Sequence, residues 1–276
     1  MWSERFVRGM VSGDLVRYGF KLGARLRLFP TGTCYRLGLT ERPQVAYGLM
    51  TAAVEASKLG LSEMTAIEFG VGAGHGLLAM EDHAQVVGQL TGVSIAVVGF
   101  DTGSGLPEPV DYRDLPYVWE AGFYKMDVKL LTSRPRSAEL VLGDVRDTVL
   151  KFMARPELRD RPVGFVVFDL DYWSSTSSAF QVFRRDAACC LPRVLCYFDD
   201  IPWTIEDVGE LRAIRDFNAE DRPRKIRHQF SLRARLPFEP RWADQIYQAH
   251  VFDHKSYGVL LADREAEKVS LGRRSQ

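Results

Sequence analysis

The sequence predicts an α/β fold: a doubly wound, mostly parallel sheet of seven strands with an antiparallel C-terminal edge. Three observations carry this expectation. Short apolar runs alternate with segments of helical periodicity from residue 43 onward, the pattern of a parallel sheet covered by helices on both faces. The first such run breaks into a glycine-rich turn, "IEFGVGAGHG", directly ahead of a helix. Two later runs, "VGFVVFDLD" and "VLCYFDD", each close on a carboxylate pair, Asp169 with Asp171 and Asp199 with Asp200.

Taken in order, residues 1–40 form a basic amphipathic arm. Within it Arg5, Arg8, Arg17, Lys21, Arg25 and Arg27 stand against Glu4 and Asp14, with Trp2, Phe6, Tyr18, Phe20 and Phe29 interspersed. Such an arm packs on the domain or on a partner subunit, allowing a homo-oligomer, or meets an anionic surface. The main domain is expected over 41–262 and a charged, frayed tail over 263–276.

"PQVAYGLMTAAVEASKLG" predicts a helix with Pro43 in its first turn and Gly60 as its stop. "MTAIEFG", "VSIAVVGFD", "AELVLGD", "VGFVVFDLD" and "RVLCYFDD" predict five strands, with a helix over "LLAMEDHAQVVGQL" and another over roughly 177–191. An insertion over about 102–138, long and rich in Pro, Tyr and Trp, is a candidate lid. Thr204 and Asp207 make a capping-box pattern ahead of apolar positions 208, 211, 214 and 217. "IRHQFSLRARL" and "QIYQAHVFDH" predict an antiparallel pair at the sheet edge.

Composition excludes several classes. Lys plus Arg equals Asp plus Glu at 36 each, which gives no general attraction to nucleic acid. No apolar run is long enough to span a bilayer. The N-terminal segment, interrupted by Arg5, Arg8, Asp14 and Arg17, lacks the apolar core of a secretory signal; a cytoplasmic location is expected. Cys34, Cys189, Cys190 and Cys196 show neither zinc-ligand spacing nor a disulfide framework.

Gly70, Gly72, Gly74 and Gly76 alternate through the turn after the first strand. Glycines there let the backbone turn sharply and let a ligand lie against main-chain N–H groups at a helix start. A nucleotide-like cofactor is expected, the alternative being a merely tight turn. Asp101 closes the second strand, where a carboxylate receives ribose hydroxyls or forms a turn with Thr102 and Gly103. Asp144 in "LGDVRDT", or the backbone beside it, is placed to meet a base edge. With these residues the chain resembles the class I S-adenosylmethionine-dependent methyltransferases, whose fold is Rossmann-like. That resemblance implies that Glu68, Gly70, Gly72 and Gly74 surround the methionine part of the cofactor and that Asp101 binds its ribose.

Like charges as close as the two acid pairs are costly unless a cation or proton lies among them. A hard divalent cation with oxygen ligands, Mg²⁺, is the economical explanation; the alternative is that the acids cap loops and helices, with Asp171 or Ser174 serving the helix that begins "SSTSS". "FDLDYWSST" and "YFDDI" further resemble the macrocin O-methyltransferase family, metal-dependent enzymes that methylate sugar hydroxyls of natural products, as do "GFDTGSGLPEP" and "LGDVRDT". The resemblance implies that Asp169, Asp199 and Asp200 hold the metal and that Asp171 is the general base. Ser175 and Thr176 fall on the family pattern, whereas Trp173 stands where the family has Tyr, and the double glycine usual before the fifth strand is missing. Tyr172, Trp173 and Trp203 read as wall or packing residues.

The expected function is therefore Mg²⁺-dependent O-methylation of a small hydroxylated molecule, sugar or natural-product-like. One rival is a Mg²⁺-dependent phosphohydrolase using "FDLD" as nucleophile and acid, which leaves the glycine turn unexplained. Another is a non-catalytic partner subunit that binds S-adenosylmethionine, and a third is hydroxylation on the same scaffold.

Overall fold

The computed structural model describes residues 14–236 and 240–259. The start of the basic arm, with Trp2, Phe6, Arg5 and Arg8, lies outside the described residues, as does the tail over 263–276. The described residues open with α1 (Asp14–Arg25), α2 (Thr31–Arg36) and α3 (Pro43–Lys58), followed by β1 (Glu63–Phe69), α4 (His75–Thr91) and β2 (Ser94–Asp101). The insertion carries a 3₁₀ turn (Tyr112–Asp114) and α5 (Val128–Thr132), and leads to β3 (Glu139–Leu142), α6 (Val145–Met153) and β4 (Val163–Phe168). Then come α7 (Trp173–Ala179), β5 (Cys190–Phe198), α8 (Gly209–Ala219), β6 (Arg224–His228), α9 (Leu232–Arg235) and β7 (Ile246–Val251).

The sheet order is β3-β2-β1-β4-β5-β7-β6. β1 to β5 pair in parallel, and β7 lies antiparallel between β5 and β6. This is the seven-stranded, mostly parallel sheet with an antiparallel C-terminal edge that the sequence predicts. Strand order reverses between β1 and β4, and a ligand crevice in such a sheet lies beyond the carboxyl ends at that switch point.

Alternation along each strand builds two cores. Met64 and Ala66 of β1 join Leu49, Ala53, Leu77 and Met80 of α3 and α4 on one face. Ile67 and Phe69 join Val149, Phe152, Phe180 and Phe217 on the other. Phe100, Phe69, Phe168 and Phe198 share one register across β2, β1, β4 and β5. Their rings lie 4.9, 5.6 and 4.6 Å apart, centroid to centroid. This buried aromatic row underlies the strand ends from which the site residues project.

A second buried contact ties α2 to the domain. The Tyr35 hydroxyl meets His83 Nδ1 at 2.7 Å, and His83 Nε2 meets the Glu41 carbonyl at 2.8 Å. A carbonyl only accepts, so Nε2 carries the hydrogen and Nδ1 receives the tyrosine O–H. Burial accordingly lowers the pKa of His83.

Four local expectations are corrected. β4 stops at Phe168 and β5 at Phe198, so none of the four acids lies within a strand. The helix expected over 177–191 instead runs Trp173–Ala179 and gives way to 3₁₀ turns at Phe180–Phe183 and Ala187–Cys189. Thr176 and Ser178, whose hydroxyls bond back to the carbonyls of Tyr172 and Ser174, lie within the helical part, and Phe180 and Phe183 are buried in the 3₁₀ turn that follows. The capping box does not form, since Thr204 donates to the Ile201 carbonyl, Asp207 pairs with Arg215 and α8 begins at Gly209. The strand expected over 226–236 ends at His228, and a left-handed Ser231 leads into α9.

Candidate active site

A crevice of ≈ 680 Å³ opens over the carboxyl ends of β1, β2, β4 and β5, within the usual range for small-molecule sites. Gly70 and Gly72 line it, with φ of 85° and 50°. A Cβ on Gly70 would stand 1.7 Å from the Asp169 carbonyl oxygen, whereas one on Gly72 would meet nothing within 4 Å. Gly70 thus lets the turn touch the β4 end, and Gly72 leaves backbone bare to the crevice. Gly74 does something else: at φ 83° it caps α4, and its missing side chain admits Leu131 of α5.

Glu68 lies beneath this turn, buried, with Oε1 against Gly76 and Oε2 without a partner. Burial pushes its carboxyl up to about 8, Asp101 and Asp199 add to the rise, and Arg42 opposes it. Asp101 binds the turn itself: Oδ2 accepts the N–H groups of Val71 and Gly72, both at 2.9 Å, and Oδ1 accepts Gly103 N–H at 2.6 Å. Two donors fill Oδ2, whereas Oδ1, with one, retains a lone pair for a ligand. Asp144 lines the crevice but is engaged as the N-cap of α6, accepting Arg146 N–H at 2.8 Å and gripping the same guanidinium.

Asp169, Asp199 and Asp200 converge, each offering an oxygen within 4.8 Å of the others, the one such group found among the described residues. Hydrogen bonds fix Asp199 and Asp200. Tyr197, two residues before Asp199 at the end of β5, donates its hydroxyl to Asp199 Oδ1 at 2.8 Å. Gln245 Nε2 donates to the carbonyls of Phe198 and Asp199 at 3.1 and 2.8 Å. Asp200 accepts Asp171 N–H on Oδ2 at 3.0 Å, and its own N–H donates to Glu210 Oε2 at 3.0 Å.

Asp171 is buried beside the three, with a left-handed φ of 58°. That conformation costs a non-glycine residue about 1–2 kcal/mol, and its place next to an acid cluster fits strain held at a functional site. It does not cap α7, whose cap residue is Tyr172. The first turn of α7 is instead satisfied by Asp114 of the insertion, which accepts Ser174 N–H and Oγ–H, both at 2.8 Å.

Burial first, then the neighbouring acids, pushes Asp169 well above the carboxylate range and raises Asp171 and Asp200 in the same direction, the Asp171 N–H partly opposing the shift at Asp200. Oxygen-only donors with unrelieved like charge suit a hard divalent cation. In the metal-free protein these acids bind protons more tightly folded than unfolded, so their stabilisation is full below about pH 4 and is lost as pH rises through the raised values. The metal-free protein is therefore expected to melt lower at about pH 8 than at about pH 5, with Mg²⁺ restoring more at the higher pH. Equal Mg²⁺ shifts at both pH values, read by differential scanning fluorimetry, would contradict this.

Trp119, Tyr124 and Lys125 of the insertion wall the mouth. The Trp119 and Tyr124 rings are 5.9 Å apart, and Trp119 Nε1 is buried without a partner. Trp173 is a packing residue, as expected: Arg113 stacks 3.4 Å above its ring and its Nε1 donates to Asp216 at 3.0 Å. Tyr172 is fully buried, and the Trp203 side chain lies outside the described residues. Sequence reasoning missed Asp114, Glu210, Gln245 and Tyr197. Only Tyr197 carried a signal, its i, i−2 spacing from Asp199.

Among solved structures, the chain is similar to the calicheamicin methyltransferase CalS11, at 19% identity and a TM-score of 0.46 over 79% of this chain and 86% of that one. A second match is an apo structure of CalS11 described as a TDP-rhamnose 3'-O-methyltransferase of calicheamicin biosynthesis, at 21% identity and a TM-score of 0.39 over 69% and 78% of the two chains. A third is the plantazolicin methyltransferase BpumL in complex with a triazolic desmethylPZN analog and SAH, at 11% identity and a TM-score of 0.34 over 90% and 98%. The sequence matches no family model and no curated protein. Among the described residues, no helix is long and apolar enough to cross a membrane.

Proposed function

We propose that this chain is an S-adenosylmethionine-dependent O-methyltransferase that works with Mg²⁺ on a hydroxyl of a sugar or natural-product-like small molecule. One observation carries the reading: a glycine turn with bare backbone and a trio of converging acids face the same crevice. The donors fit both groups. Glu68 offers an unpartnered buried oxygen below the open turn, suited to a cationic amino group, and Asp169, Asp199 and Asp200 offer only oxygen.

When bound, S-adenosylmethionine would supply a methyl group on a sulfonium, and Mg²⁺, which Asp169, Asp199 and Asp200 would hold, would lower the pKa of a neighbouring hydroxyl. The protein does the rest. Gly70 and Gly72 let the cofactor lie close against a backbone without side chains, and Asp101, accepting the N–H groups of Val71 and Gly72, holds that turn in shape. Asp171 accepts the hydroxyl proton, and burial beside other acids makes it a stronger base than an ordinary carboxylate. Trp119 and Tyr124 wall the acceptor and limit water. Orientation of the two reactants contributes most, roughly 7 to 11 kcal/mol.

Calorimetric titration with S-adenosylmethionine and then Mg²⁺, on the parent and on an Asp199→Asn/Asp200→Asn variant, tests this. Cofactor binding by both proteins with Mg²⁺ binding by the parent alone is expected. Absence of cofactor binding, with hydrolysis of p-nitrophenyl phosphate, would replace the reading by a phosphohydrolase. Binding of both ligands without methyl transfer to any hydroxylated acceptor would leave a non-catalytic subunit.

A further inference from the structure

Glu210 is fully buried near the start of α8 and is not among the three acids whose oxygens converge. Its Oε2 accepts Asp200 N–H at 3.0 Å and its Oε1 has no partner. A buried carboxylate beside three more is costly, and an apolar side chain of similar volume would avoid that cost. What the acid adds is a main-chain anchor.

Gly209 makes the anchor possible. Its φ is 58°, and a Cβ there would stand 2.4 Å from Thr204 Cγ2, so glycine alone lets α8 start close under the β5 turn. From Glu210 a line of bonds continues upward: Glu210 holds the Asp200 N–H, and Asp200 Oδ2 holds the N–H of left-handed Asp171.

We propose that Glu210 is a positioning residue that fixes the Asp199–Asp200 turn for the divalent cation and, through Asp200, the backbone that carries Asp171. The inference rests on the metal reading given above. Nothing in the sequence pattern of the four acids pointed to it.

The test compares the parent with Glu210→Gln, which keeps an accepting oxygen, and Glu210→Leu, which keeps volume only. Amide exchange of the metal-free proteins, read on peptides covering 169–173 and 199–203, is expected to match the parent in Glu210→Gln and to quicken about tenfold or more in Glu210→Leu. Mg²⁺ affinity by calorimetry is expected to stay within about threefold of the parent in Glu210→Gln and to weaken roughly 10- to 100-fold in Glu210→Leu. S-adenosylmethionine affinity should be equal in all three, which reports an intact fold. A Glu210→Leu protein with parental exchange and parental Mg²⁺ affinity would overturn the role, as would a Glu210→Gln protein as impaired as Glu210→Leu. A parent that binds no Mg²⁺ would reject the metal reading itself, and exchange alone would then decide whether Glu210 anchors the turn.

Discussion

Replacing Asp171 by Asn is expected to lower turnover by about 10²- to 10⁴-fold, the usual contribution of a general base, while S-adenosylmethionine affinity stays unchanged. Asn is the informative substitution because it tolerates the left-handed backbone and keeps the N–H that Asp200 accepts at 3.0 Å. Geometry is thereby retained and only the proton acceptor is removed. Asp171→Ala would confound the two, since alanine pays the conformational cost in full. Single-turnover rates beside calorimetric cofactor affinity separate the effects: unchanged turnover would reject Asp171 as the base, and lost cofactor affinity would assign it to binding.

Phe168→Ala is expected to destabilise the protein by about 3–5 kcal/mol, the range for emptying a buried phenylalanine site. Phe168 is fully buried and touches rings on both neighbouring strands, Phe69 at 5.6 Å and Phe198 at 4.6 Å, and meets Phe180 of the covering layer at 5.2 Å. Asp169 follows it directly and Asp199 follows Phe198, so a cavity here also loosens the acid trio from below. Urea unfolding followed by fluorescence should give a lower midpoint with an unchanged slope, together with weaker Mg²⁺ binding. A loss under about 1 kcal/mol would mean that the row collapses onto the gap and is not the rigid floor described.

Much of this was readable in advance, and the reasons differ by element. The sheet was legible because its buried parallel strands are near-continuous apolar runs, and the glycine turn because the positive φ values at Gly70, Gly72 and Gly74 favour glycine. The convergence of Asp169, Asp199 and Asp200 followed from their strand-end positions and the switch-point rule. Asp101 and Asp144 were legible as crevice residues but not in their hydrogen bonding, which depends on how the next two or three backbone amides turn. Asp114 and Glu210 were invisible because neither belongs to a periodic pattern: one caps α7 from a residue 60 positions away, and the other was concealed by placing the start of α8 at Thr204 instead of Gly209. The helix expected over 177–191 was misplaced: the α-helical turns begin earlier, at Trp173, and Phe180–Phe183 and Ala187–Cys189 close as 3₁₀ turns.

That one crevice holds both the cofactor and a divalent cation is tested most directly by diffraction from crystals grown with S-adenosylhomocysteine and Mn²⁺, recorded at the manganese edge. The expected result is one anomalous peak bounded by Asp169, Asp199 and Asp200, with the bound nucleoside lying across the glycine turn at Gly70 and Gly72. A manganese ion elsewhere, or a crevice that takes up neither ligand while the acid trio keeps its arrangement, would contradict it.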